Sequence, residues 1–202
     1  MTTALVLCGG GSLGAIQVGM LQELLESGLA PGLIVGVSAG ALNGAFLAAG
    51  ANAATAQRMA TLWSRVRTRE ILGLSWRSVL GLAGLRDHIA DSRGLRALLE
   101  RELGALRFEQ LPIPLHMVCA DLVTGEAVVL SRGSLVEATL ASSAIPGVFA
   151  PVRVDGRELV DGAVAAETPV AVAARLGATR AWLDSGGLDQ AVFPDGLRDH
   201  RH

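Results

Sequence analysis

An unbroken stretch without a charged side chain, residues 27–57, limits the folds open to this chain more than any other feature. The window 33–51 inside it is long and apolar enough to be a membrane-spanning helix. Two buried elements fit the pattern better. Residues 33–37 form a run typical of a strand covered on both faces, and residues 39–49 are apolar on every side, as in a helix enclosed by protein. We therefore expect this strand and helix at the centre of a folded domain.

Length and composition exclude several classes of protein. The 202 residues suit one domain, expected at 1–183 and followed by a polar tail at 184–202. The net charge is −2, every basic residue is arginine and tyrosine is absent, so we expect no nucleic-acid partner and no lysine chemistry. The N-terminus lacks the basic segment of a secretory signal, and Cys8 and Cys119 are too few for a disulfide framework. We expect a cytoplasmic protein.

Alternating strands and helices predict an α/β fold around a mostly parallel sheet. Strands are expected at 4–8, 33–37, 115–122, 127–130, 152–154, 158–160 and 180–183. Helices are expected at 13–27, 39–49, 53–66, 134–142, and in two segments that end at 103 and 177. Cap and turn signals stand at Asp91-Ser92, Asp155-Gly156, Thr168-Pro169 and Gly177.

A glycine-rich loop, from Gly9 to Gly14, joins the first strand to the first helix and matches G-x-G-x-x-G. In a dinucleotide-binding protein such a loop presents N–H groups to a pyrophosphate, and a carboxylate follows at the end of the next strand. That strand ends here at Val37-Ser38 without one. The same geometry offers N–H groups to an oxyanion, and a plain strand-to-helix turn is the third interpretation.

The segment from Gly36 to Gly40 has the form G-x-S-x-G at the next strand-to-helix junction. This is the pattern of a nucleophile elbow, where a sharp turn needs small residues on both sides of the serine. The turn also places the serine at the positive end of the following helix. Ser38 is therefore the predicted nucleophile.

A serine nucleophile needs a base, and the histidines do not suit that role. His116 falls in a predicted strand, His200 and His202 lie in the charged tail, and His88 lies in a segment of unassigned structure. A carboxylate is then the predicted base.

Asp161 is the candidate carboxylate, at the end of a short strand. It precedes Gly162 and Ala163, small residues that leave room for it against a serine. A turn aspartate is the alternative interpretation.

Taken together, the motifs resemble the patatin-like phospholipase family over residues 4–178. They occur in the family's order: the glycine loop, the elbow, residues 113–121, Ala141-Ser142-Ser143-Ala144-Ile145-Pro146, and Asp161-Gly162-Ala163 followed by Pro169. The resemblance implies a three-layer α/β/α fold and a catalytic dyad of Ser38 and Asp161. It also implies an oxyanion hole in the loop that contains Gly9, Gly10, Gly11 and Gly14, with the N–H groups of Gly10 and Gly11 as donors.

The function expected from this resemblance is that of a lipid acyl hydrolase, of the phospholipase or esterase type. It would act on a lipid or acyl ester through an acyl-enzyme intermediate, without a metal or other cofactor. A catalytically impaired domain that binds lipid or a partner, and a nucleotide-binding domain, are the alternatives. Residues 68–90 place Trp and Leu at helical spacing, which predicts either a lid with peripheral membrane contact or ordinary core packing.

Overall fold

The computed structural model describes residues 2–65, 90–165, 167–184 and 188–191. Apart from Ala90, the segment predicted to be lid or core lies outside these ranges, as do His88, His200 and His202. The described strands are β1 (Thr3–Leu7), β2 (Leu33–Gly36), β3 (Leu115–Asp121), β4 (Ala127–Leu130), β5 (Val152–Val154), β6 (Arg157–Asp161), β7 (Arg180–Asp184) and β8 (Leu188–Ala191). The described helices are α1 (Gly14–Glu26), α2 (Ala39–Ala49), α3 (Ala53–Arg65), α4 (Arg93–Leu103), α5 (Leu135–Ser142) and α6 (Pro169–Arg175).

The strands form one mixed sheet whose centre is parallel. The order along the sheet is β5-β6-β3-β2-β1-β7-β8, with β4 also paired to β3. The four neighbours β3, β2, β1 and β7 run parallel, whereas β4, β6 and β8 pair antiparallel with their neighbours. The predicted elements agree with these bounds to within a residue or two, and β8 is a strand that the sequence pattern did not predict.

Helices cover both faces of the sheet, as the alternation along β1 shows. Leu5 and Leu7 point into a large core shared with α1 to α5, whereas Ala4 and Val6 point into a second core shared with α6. Because side chains of a strand alternate between faces, both faces of β1 must be covered by protein. The predicted three-layer α/β/α fold is confirmed.

The uncharged stretch forms a strand and a helix, β2 and α2, and not one continuous helix. In the described ranges no helix is both long and apolar enough to cross a membrane. Residues 39–48 of α2 are all buried, which explains why this helix is apolar on every side.

Most of the predicted turns and caps form as expected. Asp155 and Gly156 both have positive φ, 48° and 83°, as a two-residue hairpin turn requires. Thr168 caps α6 by accepting a hydrogen bond from the Ala171 N–H. At the start of α4 the side chain of Ser92 makes no cap bond, and the Asp91 carboxylate accepts from the Arg93 N–H instead.

Strand β3 brings distant parts of the chain together along one of its edges. It pairs with β2 through residues 115–117 and with β6 through residues 119–121. It pairs with β4 through residues 117–120. Because this range overlaps the residues paired with β2 and also those paired with β6, β4 occupies the opposite edge of β3. The carboxyl ends of β2 and β6 therefore meet on the same edge of β3.

Candidate active site

The junction between β2 and α2 is a strained turn at Ser38. This residue has φ 54° and ψ −121°, a backbone region that a residue with a side chain rarely adopts. A Cβ added to Gly36 would lie 2.6 Å from the Gly40 carbonyl oxygen, and one added to Gly40 would lie 2.1 Å from the Leu7 oxygen. The two glycines are therefore required by close backbone contacts, and the strain is held by the buried elements on either side.

Asp161 lies at the end of β6 and is fixed by its own local contacts. Its Oδ1 accepts a hydrogen bond from the Ala163 N–H at 2.8 Å, and its backbone N–H donates to the Ala144 carbonyl at 2.9 Å. A Cβ on Gly162 would lie 2.1 Å from the Val118 oxygen, so the chain passes directly over β3. Glycine at position 162 is thus required by the backbone of β3.

The side chains of Ser38 and Asp161 lie close together and are almost fully buried. The two residues are 7% and 3% exposed, and the Ser38 hydroxyl is near enough to the Asp161 carboxyl group to influence its pKa. Burial raises the pKa of Asp161, and the hydrogen bond from the Ala163 N–H and the nearby Ser38 hydroxyl oppose that rise. A carboxylate with a raised pKa is a better proton acceptor than an exposed aspartate.

The glycine loop passes beside this pair. A Cβ on Gly9 would lie 3.1 Å from the Ser38 Cβ, so the loop passes close to the base of the serine side chain. Gly11 has φ 56°, and the Leu13 N–H donates to the Gly10 carbonyl as the loop enters a short 3-10 turn. Among the described residues, none accepts a hydrogen bond from the N–H of Gly10 or Gly11.

Gly14 has a steric role in the site. Its N–H is already bonded to the carbonyls of Gly11 and Ser12 within the turn. A Cβ there would lie 2.5 Å from the Trp63 ring. The residue therefore lets α3 pack against the end of the loop.

A buried polar network, which the sequence analysis missed, holds both ends of the glycine loop. Gln17 donates to the Cys8 carbonyl just before the loop, at 2.8 Å. Asn43 donates to the Gly14 carbonyl at the end of the loop and to Gln17, both at 3.0 Å. Trp63 donates to Asn43 at 2.8 Å. The signal in the sequence was Asn43 itself, an amide in an otherwise apolar helix.

The remaining described candidates do not contribute an obvious base or metal ligand. His116 lies in β3, and burial lowers its pKa. Burial and the charge of Asp161 raise the pKa of the Cys119 thiol to about 12, so this thiol is protonated and inert. Within the described ranges no cluster of three His, Cys, Asp or Glu side chains could hold a metal ion.

The arrangement combines the parts of acyl-transfer chemistry in one place. A hydroxyl at the positive end of α2 lies beside a carboxyl group with a raised pKa, and the described residues offer no acceptor to the N–H groups of Gly10 and Gly11 in the adjoining loop. In general, a hydroxyl beside a proton acceptor can attack a carbonyl carbon, and N–H groups without an acceptor can stabilise an oxyanion.

Comparisons with known proteins find relatives over most of the chain. The family model of the patatin-like phospholipases matches residues 5–174. An uncharacterized NTE family protein of Mycobacterium bovis is 39% identical over 170 residues, which cover 83% of this chain and 44% of that protein. Neuropathy target esterase sws of Drosophila melanogaster is 31% identical over 176 residues, 86% of this chain and 12% of that protein. The chain thus spans less than half the length of these relatives.

One solved structure has a similar fold. VipD from Legionella pneumophila superposes with a TM-score of 0.55 over 80% of this chain and 46% of that chain. The sequence identity is 19%, so the likeness concerns the fold alone.

Proposed function

The chain belongs to the patatin-like phospholipase family, and on that premise we propose that it is a lipid acyl hydrolase with a dyad of Ser38 and Asp161. The observation that carries the proposal is the burial of the two side chains close together at a strained strand-to-helix turn. An aspartate that served only as a turn residue would have no reason to be buried beside a serine hydroxyl. The family and the esterase among the relatives support a carboxylic ester as the substrate.

Acylation begins when the Ser38 Oγ attacks the carbonyl carbon of the ester. Asp161 accepts the hydroxyl proton as the new C–O bond forms. The N–H groups of Gly10 and Gly11 donate to the carbonyl oxygen as it becomes negative, an interaction worth roughly 3–4 kcal/mol per donor in comparable sites. The bond to the alcohol then breaks, the protonated Asp161 returns its proton to the leaving oxygen, and the acyl group stays on Ser38.

Deacylation repeats the sequence with water as the nucleophile. Asp161 takes a proton from water while the water oxygen attacks the acyl-enzyme carbonyl. The proton returns to Ser38 Oγ as the acid leaves, which restores the free enzyme. The raised pKa of Asp161 suits both halves of the cycle, because the group has to accept and release a proton in each.

Covalent labelling tests the proposal most directly. A fluorophosphonate reacts with an activated serine, whose oxygen displaces fluoride from phosphorus. We expect one adduct, located at Ser38 by peptide mass mapping, and no adduct in Ser38→Ala. Hydrolysis of long-chain and short-chain p-nitrophenyl esters should be lost in the same variant. Intact ester hydrolysis in Ser38→Ala would overturn the proposal, and a wild-type protein that neither labels nor hydrolyses would indicate the catalytically impaired alternative.

A further inference from the structure

The hydroxyl of Ser142 lies between the nucleophile turn and the neighbouring strand. Its oxygen accepts a hydrogen bond from the Ser38 backbone N–H at 3.0 Å and donates to the Val118 carbonyl at 2.7 Å. All three groups are buried, and Ser142 has no exposed surface. The contact joins residues 104 positions apart in the chain.

The register of β2 on β3 shows what this hydroxyl replaces. The Ile34 N–H donates to the Pro114 carbonyl at 2.8 Å, in a parallel ladder where Ile34 stands opposite Leu115. Such ladders advance by two residues on each strand. The corresponding bond two steps further along would run from the Ser38 N–H directly to the Val118 carbonyl. The Ser142 hydroxyl is inserted at that point, so one ladder bond becomes two bonds through an oxygen.

The inserted hydroxyl separates the Ser38 turn from β3. It does so at the point where Asp161 reaches the same strand. Asp161 stands opposite Cys119 on the same edge of β3, one residue beyond Val118. The same short segment also anchors Asp161, because the Ala144 carbonyl accepts its backbone N–H at 2.9 Å. Residues 142–144 therefore hold the backbones of both Ser38 and Asp161.

The helix that carries this segment is itself firmly placed. Glu137 on α5 receives two hydrogen bonds from the guanidinium group of Arg96 on α4. Thr139 on α5 bonds within the helix to the Leu135 carbonyl and touches the Met117 sulfur on β3. A hydroxyl at the end of such a helix has a defined position relative to β3.

From these contacts we infer that Ser142 is a positioning residue, whose inserted hydroxyl sets the distance and angle at which Ser38 meets Asp161. The expected effect on reaction rates rests on the proposed function. The expected effect on the position of the Ser38 turn rests on the hydrogen bonds alone. Without the hydroxyl, the Ser38 N–H can bond directly to the Val118 carbonyl. The turn would then move toward β3, away from its alignment with the carboxylate.

The test compares two hydroxyl deletions on the same helix. Ser142→Ala removes the inserted group, and Thr139→Val removes a buried hydroxyl that does not contact Ser38 or Asp161. We expect fluorophosphonate labelling of Ser38 to slow by about 10- to 100-fold in Ser142→Ala. The KM for a short ester should change little and kcat should fall with the labelling rate. Thr139→Val should label at the wild-type rate, and Ser142→Thr, which keeps a hydroxyl, should recover much of the loss.

Two results would overturn the inference: labelling of Ser142→Ala at the wild-type rate, or a loss of labelling rate in Thr139→Val equal to that in Ser142→Ala. If Ser142→Ala does not fold, Ser142→Cys replaces it, with a smaller slowing expected because a thiol is a weaker hydrogen-bonding group. Wild-type rates in that variant, or failure of both variants to fold, would make Ser142 a purely structural group.

A crystal structure of Ser142→Ala separates this inference from the proposed function. We expect a direct hydrogen bond from the Ser38 N–H to the Val118 carbonyl. An unchanged distance between the Ser38 nitrogen and the Val118 oxygen would overturn the inference, even if the variant is active. If the wild-type protein proves inert to the fluorophosphonate, the proposed function fails, and this distance alone decides whether the hydroxyl sets the position of the turn.

Discussion

A Cβ added to Gly40 would lie 2.1 Å from the carbonyl oxygen of Leu7. This close approach is between the first turn of α2 and the end of β1, and the Leu7 oxygen is a backbone atom that cannot rotate away. We expect Gly40→Ala to lower the free energy of unfolding severely, to the point where little folded protein is recovered, because α2 would have to move off the sheet.

Gly19 provides the matched control for that substitution. It lies exposed in the middle of α1 with open space around its missing Cβ. We expect Gly19→Ala to raise stability by about 0.5–1 kcal/mol, because alanine restricts the unfolded chain and glycine is a poor helix former. Urea unfolding of both variants measures the contrast, and a well-folded Gly40→Ala protein would contradict the close contact.

Ser38 and Asp161 should act as one unit in catalysis. We expect Ser38→Ala and Asp161→Asn each to lower kcat/KM for an ester by roughly 10³- to 10⁶-fold. The double variant should be no more than a few fold slower than the worse single variant, because each change alone disables the same step. Losses that multiply in the double variant would show that the two residues contribute independently.

Two buried carboxyl groups, those of Asp161 and Asp121, should make the stability of the fold change with pH in opposite directions. Burial raises the pKa of Asp161, so its contribution to stability is fully present below the unfolded pKa and is lost as the pH rises through the folded pKa. We therefore expect Asp161→Asn to be at least as stable as wild type at neutral pH, with the advantage disappearing in acid. Thermal unfolding between pH 3 and 8 measures it.

Asp121 is the control for this pH dependence. Backbone N–H groups of Thr124 and Val123 lower its pKa, and their bonds to its Oδ1 are 3.1 and 2.9 Å long. Its stabilising contribution is present above the unfolded pKa and is lost as the pH falls through the folded pKa. Asp121→Asn should be less stable than wild type at neutral pH, and equal to it in acid. The same sign in both variants would refute the two environments described above.

The buried amide of Asn43 should matter for both stability and the glycine loop. Asn43→Ala leaves the Gly14 carbonyl, Gln17 and the Trp63 N–H without the partner seen here, and unsatisfied buried groups cost about 1–3 kcal/mol each. We expect a large fall in the melting temperature and, at temperatures where the protein is folded, slower labelling of Ser38. Thr61→Ala, which removes an exposed hydroxyl on α3, is the control, and equal effects from the two would contradict the role of the network.

The sequence was informative wherever a residue type is forced by local geometry. At Gly36, Gly40 and Gly162 an added Cβ would lie 2.1–2.6 Å from a backbone oxygen, and such requirements leave recognisable motifs. The bounds of the strands and helices could be predicted for the same reason, because caps, glycines and apolar runs are local signals.

The residues that hold the site together were not predictable in the same way. Gln17 looks like an ordinary polar residue in a helix, and its partners Cys8 and Asn43 lie 9 and 26 positions away in the chain. Ser142 belongs to a motif of the family, but the motif does not reveal its partners Val118 and Ser38, which lie 24 and 104 positions away. Nor does any local pattern reveal that β2 and β6 share one edge of β3, because strand pairing depends on contacts distant in sequence. Strand β8 was not predicted because only four residues form it, two of them polar, in a segment that resembles a charged tail.

The shared edge of β3 has a consequence for when the site comes into being. Ser38 belongs to the first fifth of the chain, whereas Asp161 is synthesised only at the end of β6, after the residues of β3 and β4. An unfinished polypeptide on the ribosome that ends before residue 161 has the serine hydroxyl but not the carboxyl group that lies beside it in the folded protein. Under the proposed mechanism such a chain is chemically silent, and the pair is present before β7 and β8 join the sheet.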